Sequence, residues 1–174
     1  IYSLPFLFEN YFLGLKFFGI LSLWISAIIS FKLSDKFFGK NAALFSSFTF
    51  CLITSSEQTF LMTEVEIFVL PLLSIYCYLI LCDFKNPKKI NIFFSAIAIC
   101  LASLVKSYLS IIGILGCIII IQCDKNKLIN LFLYVLGGII PLAILIISYI
   151  NYPNGLEILW DSMYTSTAAY TGKR

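Results

Sequence analysis

From Ile90 to Gln122 the chain is almost wholly apolar, with one charged side chain, Lys106, near the middle. As a single helix this run would be about 50 Å long at 1.5 Å per residue. That is too long for a ~30 Å hydrocarbon core unless the helix tilts strongly. A break near Lys106 and Ser107 makes two crossings instead, 90–105 and 107–123.

The rest of the chain follows the same plan. Apolar segments at 11–31, 41–54, 66–82 and 128–150 bring the total to six. The segment 41–54 is short, about 21 Å as a helix. Pro71 is expected to kink the third segment, and Gly137, Gly138 and Pro141 to bend the last. Composition supports this fold class, an all-α integral membrane protein of about six transmembrane helices, some short or kinked. Sixty per cent of residues are hydrophobic, 12% are charged, and mean hydropathy is +0.97. A soluble domain carries about a quarter charged residues, so the main solvent expected here is lipid.

The loop charges set the expected orientation. KLSDKFFGK (32–40), DFKNPKK (83–89) and DKNK (124–127) fall on one side if all six segments cross, and they hold eight of the twelve basic residues. By the positive-inside rule that side is cytoplasmic, and both ends of the chain are extracytoplasmic. A single 90–122 helix would put DKNK opposite DFKNPKK and spoil the pattern. Lys106 then lies at the outer interface, where topology disfavours positive charge. It is either a snorkelling lysine or a functional cation. Lys16, a few residues inside the first segment, snorkels outward or faces the same cleft.

The same outer side carries Glu57, Glu64 and Glu66 in the loop before the third segment and at its start, and Glu157 and Asp161 in the tail. Thr63 with Glu64 and Glu66 suits a helix N-terminus, where carboxylates favour the dipole. The alternative is a set of cleft carboxylates that hold a sugar hydroxyl, a metal ion or a cationic partner. If Lys106 does not pair with one of them, an anion is expected, and at an outer leaflet that anion is a lipid phosphate. In the tail 151–174, Tyr152, Trp160, Tyr164 and Tyr170 suit an interface or stacking on sugar faces.

Other chemistry is sparse. With no histidine, His-based catalysis and most zinc chemistry are excluded. The six cysteines form no CxxC pair and read as small apolar fillers. No metal site is expected, although a divalent ion in the reaction is left open. The chain starts with Ile and no basic segment precedes its first apolar run, so no signal peptide is expected and the chain reads as a fragment of a longer membrane protein.

Three stretches together resemble the multi-spanning GT-C glycosyltransferases, above all the mannosyltransferase-like and arabinose-transferase-like members. Phe37-Phe38-Gly39-Lys40-Asn41-Ala42-Ala43 matches a stretch that precedes a small-residue helix. Thr63-Glu64 matches the Thr-Asp or Thr-Glu that opens the next helix at the outer face. Cys100-Leu101-Ala102-Ser103-Leu104-Val105-Lys106 matches a signature that ends in lysine. Cys100 replaces the usual glycine, Val105 the usual threonine, and Ser107 the Pro or Gly that often follows. The resemblance covers roughly residues 1–170.

The resemblance implies transfer of a sugar from a polyprenyl-phosphate donor to a glycan, lipid or protein acceptor at the extracytoplasmic face. The partners are then membrane lipid and lipid-linked sugar, with no nucleic acid. In these terms Lys106 and Tyr108 bind the lipid phosphate, Glu64, Glu66 and Glu57 are the acceptor or cleft carboxylates, and segments three to five line a lipid groove. The family's catalytic Asp or Glu is expected upstream of Ile1, because the context of Glu9, LFENYF, does not match the family's acidic motif. The competing readings are a lipid-linked sugar transporter or flippase, a polysaccharide polymerase, and a non-catalytic membrane subunit. A flippase needs polar groups on both sides of a midplane site. A polymerase usually shows arginines in large outer loops, and this chain has only Arg174.

Overall fold

The computed structural model describes residues 11–56, 65–82, 88–123 and 126–161. These residues are all-helical, with no strand among them. Helix α1 spans Tyr11–Phe38, α2 Lys40–Ser56 and α3 Val65–Leu81. Helix α4 spans Lys89–Val105, α5 Ser110–Cys123 and α6 Lys127–Ile150. A 3-10 turn, Ser107–Leu109, lies between α4 and α5, and a short α7 spans Gly155–Trp160.

Each of the six expected segments is a helix, and the boundaries agree within a few residues except at one place. The stretch 32–38 is not a loop but the last two turns of α1. Lysine and leucine propagate a helix well, so polarity alone does not end one. The stop is Gly39, whose φ of +82° a side chain would resist. Its N–H closes on the Asp35 carbonyl and its own carbonyl accepts from Ala43, so one residue joins two helices. The proline expectations are refined similarly. Both Pro71 and Pro141 sit inside helices that continue past them.

Contacts fix how the helices run. Ser34 Oγ donates to Ser46 Oγ at 3.2 Å, and Ser47 Oγ reaches the Ala27 carbonyl at 3.4 Å, so α1 and α2 are antiparallel about Gly39. Lys36 Nζ lies 3.1 Å from Cys82 Sγ, which brings the C-terminal ends of α1 and α3 together. In packing order the helices run α2, α1, α3, α4, α6, with α5 against α4 and α6. Buried residues of α3, α4, α5 and α6 make one core that includes Val69, Tyr76, Ile99, Ala102, Ile120 and Tyr134.

The interior mixes large apolar side chains such as Ile67, Ile92 and Ile99 with small ones, while many large apolar side chains face outward. Ser26, Ala43, Ser95, Ala96 and Ala102 are almost fully buried, whereas Trp24, Phe38, Phe45 and Leu128 are exposed. Close helix approach explains the first set. At Gly137 a Cβ would fall 2.5 Å from the Phe93 carbonyl oxygen and 3.0 Å from the Ala96 methyl carbon. Helices α1 and α6 are long and apolar enough to cross a membrane. Helices α2, α3 and α4 have 17 residues each, or ~26 Å, and α5 has 14. Length and composition therefore identify two candidate spans rather than six.

Candidate functional site

The long apolar run does break at Lys106. Helix α4 ends at Val105, and Lys106 takes an extended conformation, φ −137° and ψ 102°. Its N–H completes the last turn of α4 on the Ala102 carbonyl at 3.0 Å, and its carbonyl accepts from Leu109 at 3.0 Å. Both backbone groups are thus used in turning the chain. The two helices then fold together: a Cβ on Gly113 would lie 3.6 Å from Ile99, and these residues are equally distant from Lys106 in sequence. Lys106 marks a hairpin apex, and its side chain is half-buried. Tyr108, on the 3-10 turn, is exposed at 60%.

Directly below this apex is a groove of about 410 Å³ between α4, α5 and α6. That volume falls within the ~300–1,000 Å³ range of small-molecule sites. Ser103, Ser107 and Ser110 line the end nearest the apex, while Ala96, Val135 and Gly138 belong to the apolar remainder. Ile114, Val135 and Leu142 are exposed, so the groove opens on the outer apolar surface of the bundle. The wall differs from the expectation of segments three to five. Helix α3 contributes nothing to the lining and α6 takes its place, because α6 packs directly on α4 through Gly137. Neither Lys106 nor Tyr108 lines the groove, although Leu104 and Ser107 do on either side of Lys106.

Two tyrosines hold α5 in position. Tyr76 of α3 donates its hydroxyl to the Ile112 carbonyl at 2.9 Å, and Tyr134 of α6 donates to the Gly113 carbonyl at 3.0 Å. The phenols converge over Gly116, where any Cβ would collide with both oxygens. These carbonyls lie in the first turn of α5, beside the 3-10 turn. The sequence carries a signal for this arrangement that polarity counting misses: a tyrosine within an apolar run needs a hydroxyl partner when buried.

The carboxylates are placed less fully. Glu66 lies in the first turn of α3. Helices α3 and α4 pack along their length and are joined by a short link, so they run antiparallel, and the start of α3 lies at the same end as Lys106. Glu57 and Glu64 lie outside the described residues, as do Thr63, Tyr164 and Tyr170. Lys16 is exposed on α1, and Tyr152 and Trp160 are exposed around α7. Among the described residues no three His, Cys, Asp or Glu side chains gather as a metal site. No family model matches the chain, and neither a curated protein nor a solved structure matches it.

Proposed function

We propose that this chain forms a six-crossing membrane bundle, both ends extracytoplasmic, that takes part in sugar transfer from a polyprenyl-phosphate donor to an acceptor at the outer face. The observation that carries this reading is the chain reversal at Lys106, which sets a lysine at a hairpin apex at one end of the bundle. Charge developing on a leaving lipid phosphate needs a fixed cation, and a helix-end lysine in a water-poor setting supplies one. Tyr108 adds a phenol from the same turn, and Glu66 adds a carboxylate at the same end of the bundle.

The crossing of all six helices rests on the outward display of large apolar side chains and on the placement of lysines. Lys36, Lys40, Lys88, Lys89 and Lys127 stand at the ends of helices opposite Lys106. Helices of 17 residues lie at the lower limit of spanning length, and local bilayer thinning accommodates them at modest cost. A cysteine at Asn126 in a cysteine-free background should resist an impermeant reagent in intact cells, and its labelling there would overturn the orientation.

The chemistry is tested with Lys106→Met, which keeps the apolar stem and removes the charge. Turnover from a polyprenyl-phosphate donor should fall by about ten- to a thousandfold with expression and insertion intact, because a charge-assisted contact in such a site is worth about 1.5–4 kcal/mol. Lys106→Arg should retain part of the rate. Wild-type turnover in Lys106→Met would end the phosphate assignment.

A further inference from the structure

We infer that the groove between α4, α5 and α6 is a binding site for an uncharged lipid alcohol, with its hydroxyl at the Ser103–Ser110 end and its chain directed toward Gly138. Three observations lead there, and none depends on the transfer reaction.

First, no residue lining the groove carries a charge at neutral pH. An anionic or cationic head drawn into it would leave water with no counter-ion in the wall, which is strongly unfavourable. Lys106 stands outside the lining, so a phosphate held there is not held in the groove.

Second, two of the three serines at the polar end of the wall have their protons committed elsewhere. Ser103 Oγ donates to the Ile99 carbonyl at 2.8 Å, and Ser110 Oγ donates to the Ser107 carbonyl at 2.8 Å. Tyr134, deeper in the wall, donates to Gly113. A hydroxyl has one proton and two acceptor sites, so each serine still offers lone pairs. The complementary ligand group is a hydrogen-bond donor, and the uncharged donor common on lipids is a hydroxyl.

Third, polarity is graded along the groove. The serines cluster beneath the hairpin apex, and the wall then becomes apolar toward Ala96, Val135 and Gly138. Gly138 faces open space, with nothing within 4 Å of a Cβ built on it. A single flexible chain with one polar end fits this gradient.

The test uses the full-length protein in zwitterionic lipid vesicles and a C16 primary alcohol with a mid-chain diazirine. After irradiation, adducts are mapped by mass spectrometry. Labelling should concentrate on residues that line the groove. Unlabelled C16 alcohol should compete better than its methyl ether or its phosphate ester by about three- to tenfold, the value of one hydrogen bond. Ser103→Ala should weaken labelling by about the same factor. Gly138→Phe should abolish it, since the ring fills the groove from an unobstructed position, and circular dichroism of that variant should match wild type. Equal competition by the methyl ether would overturn the hydroxyl assignment, and stronger competition by the phosphate would overturn the uncharged one. Adducts spread evenly over the exposed helix faces would mean no site at all. Sugar transfer by Lys106→Met reports on the reaction alone, so the two readings fail separately.

Discussion

The α1–α2 pair and the α4–α5–α6 group are built from similar material and held in different ways. Both bury small residues: Ser26 and Ala43 in the first, Ser95, Ala96 and Ala102 in the second. In α1–α2 the hydrogen bonds across the interface include a 3.2 Å serine pair and a 3.4 Å serine-to-carbonyl contact. In the second group α5 is held by bonds of 2.9 and 3.0 Å from two buried tyrosines, Tyr76 of the adjoining α3 and Tyr134 of α6, which reach carbonyls in the first turn of α5. Small residues alone give close approach, which is sufficient for a hairpin closed by one residue. Phenol anchors add orientation, and the region with a groove to keep open is the one that has them.

The largest effect expected from this contrast is at two adjacent glycines of α6. Gly137→Ala would drive a methyl group into the Phe93 backbone, which cannot move without shifting α4. Overpacking of this kind costs about 1–3 kcal/mol, and Gly137→Leu should cost more. Gly138→Ala meets nothing within 4 Å and should be neutral or slightly stabilising, by at most about 1 kcal/mol. Unfolding of each variant in mixed micelles provides the comparison. Equal losses at the two positions would mean that α4 and α6 do not meet at Gly137.

Much of this arrangement could be read from the sequence, and the reasons are local. Apolar run lengths located the helices, and Lys106 located the break, because a run too long for one helix turns most readily at its one charged residue. The extension of α1 to Phe38 was hidden because Lys32, Asp35 and Lys36 look like loop residues to a hydropathy count, while the stop signal is the conformation of Gly39. The groove walls were misassigned for a different reason. The resemblance implies segments three to five, and α3 does stand beside α5, through Tyr76, but without lining the groove. In the structure α6 packs on α4, a contact set by the fit of Gly137 against Ala96. Nothing in apolar periodicity distinguishes that partner from another apolar face. The serine end of the groove has no sequence signal of its own, because which serines share a wall depends on how α4, α5 and α6 pack.

The tyrosine anchors give the next effect in size. Tyr76→Phe and Tyr134→Phe each remove one hydroxyl bond to α5, at about 0.5–1.5 kcal/mol. The two phenols are also hydrogen-bonded to each other, one proton being shared between a carbonyl and the neighbouring phenol oxygen. Removing either hydroxyl loses that shared bond as well as its own bond to α5, so the double variant should cost less than the sum of the singles, and a cycle of equilibrium unfolding measurements reads the difference. A double variant that costs the full sum or more would show that the phenols do not support each other.

The smallest effect is expected in the α1–α2 pair, and it is the one that tests whether small residues suffice there. Ser46→Ala removes the acceptor of the 3.2 Å serine pair and leaves the backbone contacts about Gly39 intact. Hydroxyl bonds between helices in membranes average about 0.6 kcal/mol, because the separated helices find other partners. Ser46→Ala should therefore shift stability by no more than about 0.6 kcal/mol, within the range of an ordinary surface change. Ala43→Leu, at a position with no exposed surface, should be much worse, by about 1–3 kcal/mol. If Ser46→Ala proved the costlier of the two, polar bonding would be holding the hairpin after all. The contrast with the tyrosine-anchored half would then be one of degree, since both halves would depend on buried hydroxyls and differ only in which side chain supplies them.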